Sequence, residues 1–326
     1  MKRAVKPAVS ASIDRFLEMK QALGRRYAVE RCVLESVKEF MTRSGATDWT
    51  QDEFDRWCEL QSHVSPTVRR SRMRIVRNFC LYRRRTEPDC FVPDPAGFPR
   101  PHQPVRPHIF TDAQITTLLQ AAALLEPVPN SPLRPQVFHL AIVLLYTTGM
   151  RRGELARLTL SDYDQPNRTL HIRDTKFHKS RYLPLSSDAS RELDVYLALR
   201  RDRHLPMGLN SRLFWNSYAN GYSASGIGSG VHELLRSSGV LKADGHLPRC
   251  HDLRHSFALR RLLRWYHTGA DVQAKLPSLA TYMGHVSINS TEYYLPFVTE
   301  LAAAASNRFA NRYGALVQPL PHGGVS

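Results

Sequence analysis

Apolar residues recur every three to four positions through the first third of the chain, which predicts helices with one buried face. Ile13, Phe16, Leu17 and Leu23 share one face, and Val33, Leu34, Val37 and Phe40 share another. Asp52, Phe54, Trp57, Cys58 and Leu60 outline a third helix. A fourth is predicted from 65 to about 82, with Ser65 as N-cap and Pro66 at the first helical position. Its apolar side would use Val68, Ile75 and Phe79. Its other side carries Arg70, Arg74 and Arg77 at i, i+4 and i+7, flanked by Arg69 and Arg72, with Arg83, Arg84 and Arg85 following. No carboxylate interrupts residues 69–77, so like charges repel along that face unless an anion lies against it. Such a helix can dock on a bundle and reach phosphates or a major groove.

The pattern breaks at 93–108, PDPAGFPRPHQPVRPH, where six prolines forbid helix and favour extended chain. This segment reads as an interdomain linker. Beyond it, Thr111 or Asp112 caps a helix carrying Ile115, Leu118 and Leu119. Residues 137–146 form an apolar helix with no polar face, expected to be central and to end at Gly149. A short helix follows through Glu154, Leu155 and Leu158. Residues 169–172 and 181–185 alternate in the manner of strands around a turn-like stretch. Further helices are predicted from Ser187 or Asp188 through Leu193, Tyr196 and Leu197, near 231–237, 253–267 and 277–283, and over 299–312. The fold class is therefore mainly α with a small antiparallel sheet. Its expected divisions are a helical domain at 1–92, a linker at 93–109, an α+β domain at 110–315 and a tail at 316–326.

Charge adds a partner to this picture. The chain of 326 residues has 45 Lys and Arg against 29 Asp and Glu, a net charge of +16. The excess is +8 in residues 1–110 and +8 in the remainder. A basic surface on both halves suits a clamp around a polyanion. Five cysteines, an odd number with no C-x-x-C pair, argue against a disulfide framework or a zinc ribbon and suggest a reducing, cytosolic setting. The basic start has no apolar run behind it, so no secretory signal is expected, and no apolar run is long enough for a membrane span.

Three short segments carry candidate chemistry. In the first, Thr148-Gly149-Met150-Arg151-Arg152-Gly153-Glu154, an arginine leaves the end of a buried helix with a carboxylate three residues on. In His251-Asp252-Leu253-Arg254-His255, His251 and Arg254 lie one helical turn apart on the same side. Met283-Gly284-His285 is followed, nine residues past the histidine, by Tyr294.

Together these segments resemble the tyrosine recombinase (phage integrase) family. Its members carry T-G-x-R-x-x-E, H-x-L-R-H and L-G-H blocks and a nucleophilic tyrosine nine residues beyond. The resemblance runs over about 110–300 and is looser before that, where it implies a SAM-like core-binding bundle that contacts DNA through Arg69, Arg70, Arg72, Arg74 and Arg77. It implies Arg151 and Arg254 as a phosphate clamp, whose forked donors match phosphate geometry. His285 would add a hydrogen bond, His251 would bond or shuttle a proton, and Glu154 would orient groups behind them. His255 would be structural. Tyr294 would attack to give a 3′-phosphotyrosine, and a lysine on the hairpin turn would protonate the leaving 5′-oxygen. Lys176 aligns best with that lysine, but the usual glycines are missing, so Lys179 remains a rival.

The resemblance also implies no cofactor or metal, double-stranded DNA as partner, a tetramer on DNA, related recombinases as further partners, and a cytoplasmic, nucleoid-associated setting. A terminal helix over 299–312 would pack in cis or on a neighbouring subunit. Other readings stay open at this point. Tyr293 could replace Tyr294 as nucleophile, or both could be packed aromatics. The chain could be a type IB topoisomerase, or a catalytically silent DNA-binding protein of the same fold. His251 and His255 at i, i+4 could pair on zinc, although no glutamate follows in the H-E-x-x-H manner and Arg254 beside them would repel a cation.

Overall fold

The computed structural model describes residues 9–25, 27–100, 107–173, 180–218 and 220–285. The chain divides into two compact units, Met1–Val105 and Arg106–Ser326.

The first unit packs four helices: α1 (Val9–Ala22), α2 (Ala28–Ser44), α3 (Gln51–Glu59) and α4 (Pro66–Arg83). Ile13, Phe16, Leu17, Leu34, Val37, Val76 and Phe79 fill its centre. Buried Trp49 meets Phe40, Phe54 and Trp57 with ring centroids 6.2–6.3 Å apart. Thr50 and Ser65 cap α3 and α4 as side-chain acceptors.

The buried face of α4 differs from the expected one. It runs through Met73, Val76, Phe79, Cys80 and Arg83, while Val68 is exposed and Ile75 only half-buried. Arg83 lies on the apolar side because Asp48 and Glu87, each 2.6 Å away, neutralise it. Leu23 and Leu60, expected inside, are exposed, because each falls just past the end of its helix.

The proline-rich segment is not free chain throughout. Phe98 is buried in the first unit's core, and the carbonyls of Pro93 and Pro99 accept from Arg77 and Arg70. On the far side, Phe110 is buried in the second unit and its N–H donates to Ser256 Oγ at 2.9 Å.

The second unit is built around α6 (Arg134–Thr148), which has buried residues on every side and touches α5 (Asp112–Ala123), α7 (Arg152–Arg157), α8 (Ser187–Asp202), α9 (Ala224–Ser237) and α10 (Cys250–His267). Thr111 and Gln114 close a reciprocal cap on α5. Three antiparallel strands lie in the order β1 (Tyr163–Asp164), β2 (Thr169–Ile172), β3 (Arg181–Pro184). The short β1 went unread because two residues carry no alternation. Leu170 pairs with Leu183 and Ile172 with Arg181, so the two leucines and Ile172 enter the core beside an inward-facing arginine. On the other face His171 and Tyr182 stack at 4.5 Å.

Two late helices start earlier than the sequence suggests. α9 begins at Ala224 rather than 231, and α11 (Val272–Met283) runs through Pro277, with Asp271 as its N-cap. α10 and α11 bury Phe257, Leu259, Leu262, Val272, Leu276, Leu279 and Met283 in a cluster of their own. No helix among the described residues is long and apolar enough to cross a membrane. The helix expected over 299–312 and the tail lie outside the described residues.

Candidate active site

The end of α11 is where the candidate residues meet. The last carbonyls of an α-helix lack partners within the helix and carry the negative end of its dipole. Here three successive ones each accept from an arginine. Arg181 Nε donates to the Tyr282 carbonyl at 2.7 Å, Arg254 Nη2 to Met283 at 2.8 Å, and Arg151 Nη2 to Gly284 at 2.6 Å. Arg151 comes from the start of α7, Arg254 from α10 and Arg181 from β3, so distant stretches of chain deliver three guanidiniums to one helix end.

Local structure explains why these segments read as they do. Gly149 ends α6 in the left-handed region at φ +63°, and a Cβ there would lie 2.4 Å from the Phe257 ring. Its carbonyl then faces Arg254, whose Nη1 donates to it at 2.5 Å. Past that turn Arg151 is the N-cap residue of α7. Its backbone N–H donates to Glu154 Oε2 at 2.9 Å, and its Nη1 to Oε1 at 2.8 Å. At α10, Asp252 accepts from the Arg249 N–H at 2.7 Å, which starts the helix at Cys250 and puts His251 in its first turn. Gly284 ends α11 with φ +69°, and His285 follows directly.

Glu154 is the hub. It is buried, and besides Arg151 it receives Arg181 through both oxygens, Nη1 at 3.2 Å and Nη2 at 2.8 Å. Burial alone would raise its pKa, but the hydrogen bonds and charge of Arg181, with those of Arg151, bring it down to about 2. It therefore stays a carboxylate between two cations.

The histidines feel the opposite field. Burial and then the charges of Arg254 and Arg151 lower the His285 pKa to about 3. Burial and His251 lower that of His255 to about 4. Desolvation and then the charge of Arg254 lower the His251 pKa to about 4. Its ring meets His255 edge-on, centroids 4.6 Å apart. The site is thus a cationic cluster with neutral imidazoles beside it. It can hold an anion through arginine forks and offer imidazole N–H groups to it.

Of the sequence-derived candidates, the structure gathers Arg151, Glu154, Arg254 and His285 at this helix end, with His251 and His255 on α10 beside Arg254. Lys176, its rival Lys179, Tyr293 and Tyr294 lie outside the described residues. Arg181 was missed. The signal was present in the alternation Arg181-Tyr182-Leu183-Pro184-Leu185, which puts an arginine on the side of two core leucines. A charge there implies a buried partner.

The arginine face of α4 divides into two groups. Arg70 and Arg77 hold the 93–99 segment through its carbonyls, and Arg72 donates to buried Gln61 at 2.8 Å. Arg74 is exposed and Arg69 half-exposed.

Residues 109–297 match the model of the phage integrase family. A relative that carries the name integrase/recombinase, y4rB of Sinorhizobium fredii, is 31% identical over 304 residues, spanning 93% of this chain and 97% of its own. Tyrosine recombinase XerC 2 of Ralstonia nicotianae is 34% identical over 175 residues, 53% of this chain and 46% of its own. Among solved structures, the Tn1549 transposon integrase in complex with transposon right end DNA superposes with a TM-score of 0.63 at 18% identity, over 93% of this chain and all of that one. A lambda integrase dimer bound to a core site gives 0.60 at 16% identity, over 88% and 95%. These superpositions show a shared fold.

Proposed function

The chain belongs to the phage integrase family, the tyrosine recombinases, and from that membership we propose that it is a site-specific DNA recombinase serving a mobile element. The observation that carries this reading is the set of arginines drawn to α11. Arg151 and Arg254 donate to the adjacent carbonyls of Gly284 and Met283, which brings two guanidiniums to one helix end, as a clamp for a single phosphate needs. The net charge of +8 in residues 1–110 and again in the remainder supports double-stranded DNA as the partner, as do the DNA complexes of the Tn1549 and lambda integrases that share the fold.

In this reaction Arg151 and Arg254 bind the non-bridging oxygens of the scissile phosphate, where negative charge builds in the transition state. His285 and His251 donate further hydrogen bonds. The Tyr294 oxygen, passing its proton to His251, bonds to phosphorus as the bond to the 5′-oxygen breaks. The 5′-oxygen takes a proton from Lys176, leaving a 3′-phosphotyrosine and a free 5′-hydroxyl. A phenol of pKa about 10 is about 0.1% ionised at neutral pH, and neighbouring guanidiniums favour the ionised form. The phosphoester energy stays in the tyrosyl bond, so the reverse attack reseals DNA with neither ATP nor metal. Four subunits on two sites would exchange one strand pair, form a Holliday junction and then exchange the other.

The test is covalent capture on a nicked duplex. Wild type should leave a protein–DNA adduct resistant to detergent, and Tyr294→Phe should bind DNA without forming it. An adduct formed by the phenylalanine variant through Tyr293 would overturn the nucleophile assignment. Relaxation of supercoils by monomers, with no junction between two sites, would favour a topoisomerase.

A further inference from the structure

Glu154 poses a problem for the clamp. A buried carboxylate 2.8 Å from Arg151 would cancel that arginine's charge one for one, and a neutral pair is a poor ligand for phosphate. The structure supplies a second cation. Arg181 takes both oxygens of Glu154, and its own Nε is held by the Tyr282 carbonyl. Its side chain is 11% exposed against 29% for Arg151. Both arginines meet the carboxylate, and Arg151 is the more exposed of the two. Two guanidiniums and one carboxylate leave one net positive charge, on the solvent side.

We infer that Arg181 is a positioning residue of the phosphate clamp: it absorbs the charge of Glu154, so that Glu154 can orient Arg151 without neutralising it. The inference rests on the recombinase reading above. Its geometry is specific to this pair of elements. Arg181 enters the core at the register position opposite Ile172, and Gly284 leaves it room, since a Cβ there would stand 2.7 Å from Arg181 Nη1. A lysine would keep the charge but could not bridge both carboxylate oxygens and the Tyr282 carbonyl in one plane.

The experiment measures the rate of tyrosyl-adduct formation by full-length protein on one nicked duplex. That duplex is first chosen by covalent capture of wild type on a random-sequence pool. It is made with an ordinary scissile phosphate, with a methylphosphonate that removes the phosphate's charge, and with a 5′-bridging sulfur that needs no protonation to leave. Arg181→Met should slow cleavage of the ordinary duplex about 10²-fold, the scale for losing a preorganised charge stabiliser. On the methylphosphonate that loss should shrink at least about tenfold, because the clamp's charge matters less there. Adding Glu154→Gln to Arg181→Met removes the uncancelled carboxylate and should recover at least about tenfold on the ordinary duplex.

An equal loss on both phosphate types in folded protein overturns the inference, as does a double variant slower than the single one. Rescue by the 5′-sulfur alone also overturns it, by showing that Arg181 acts through the leaving-group acid. If Arg181→Met does not fold, Arg181→Lys is read by the same comparisons, with a smaller loss expected. Absence of any adduct with wild type would instead count against the recombinase reading, so the two failures are distinct.

Discussion

Gly284 and Arg181 stand so close that a methyl group on the first would lie 2.7 Å from Nη1 of the second. The same methyl would come within 3.3 Å of Arg151 Nη1. Gly284 also holds φ +69°, where alanine costs about 1–2 kcal/mol. Gly284→Ala should therefore lower stability by about that amount and displace both guanidiniums. We expect adduct formation to fall at least about 10²-fold in protein shown to be folded, because preorganised charges lose their aim. Wild-type cleavage by a folded Gly284→Ala protein would show that the close approach does not matter.

Arg200 tests the scaffold rather than the site. It is fully buried and has no carboxylate partner among the described residues; its guanidinium donates to the carbonyls of Pro206, Arg212 and Leu213. Arg200→Met would take that donor from the Pro206 and Arg212 carbonyls, while Leu213 still accepts from the Tyr196 hydroxyl, at about 1–3 kcal/mol for each buried group left unsatisfied. Thermal unfolding should shift down by about 5–10 °C for a total near 3 kcal/mol. A shift under about 2 °C would mean that water or a rearranged loop replaces the arginine.

Acid should loosen the second unit in two windows. The pKa values of His255 and His285 are about 4 and about 3 against an ordinary 6.5. Between those values the unfolded chain binds more protons than the folded one, so stability falls as pH drops from 6.5 towards 4. Glu154, at about 2 against 4.5, adds a further loss below 4.5, since its carboxylate is stabilised only while ionised. Denaturant melts across this range should show the decline, and His285→Asn should flatten its upper part. An identical pH slope in the variant would refute the assignment.

The arginines of α4 should separate by experiment into two groups. Arg74 is exposed, and if it contacts a phosphate Arg74→Ala should reduce the slope of log affinity against log salt by about 0.9 without changing the melting temperature. Arg77→Ala, which gives up the Pro93 carbonyl, should lower the melting temperature. If both changes alter only affinity, the 93–99 segment does not depend on Arg77.

Most of this architecture could be read from the chain, and the exceptions share a physical cause. Periodicity finds a helix when its own faces decide its register, as in α1 and α2. It missed the first half of α9, whose glycines look like loop. Gly228 and Gly230 are there because Arg152 and the Phe138 ring press against that face, so a Cβ would sit 2.1 and 2.0 Å away. Tertiary packing, invisible in a single sequence, overrides local propensity there. Pro277 misled in the same way, marking an expected helix start in the middle of α11. At the site, Arg151, His251, Arg254 and His285 were legible through spacing. Arg181 belongs to no block, and its role arises only when β3 is folded against α7 and α11.

The carbonyls that hold the arginines belong to a helix with limited moorings. α10 and α11 share a small apolar cluster distinct from the large core around α6. Local opening takes its free energy from the contacts of the segment that opens. If α11 frays from its C-terminal end, Arg151, Arg181 and Arg254 lose their α11 carbonyls together, keeping only Glu154 and the Gly149 carbonyl, while the rest of the unit stays folded. Catalytic competence would then melt below the temperature at which the protein does, and amide exchange along α11 would mark that earlier transition.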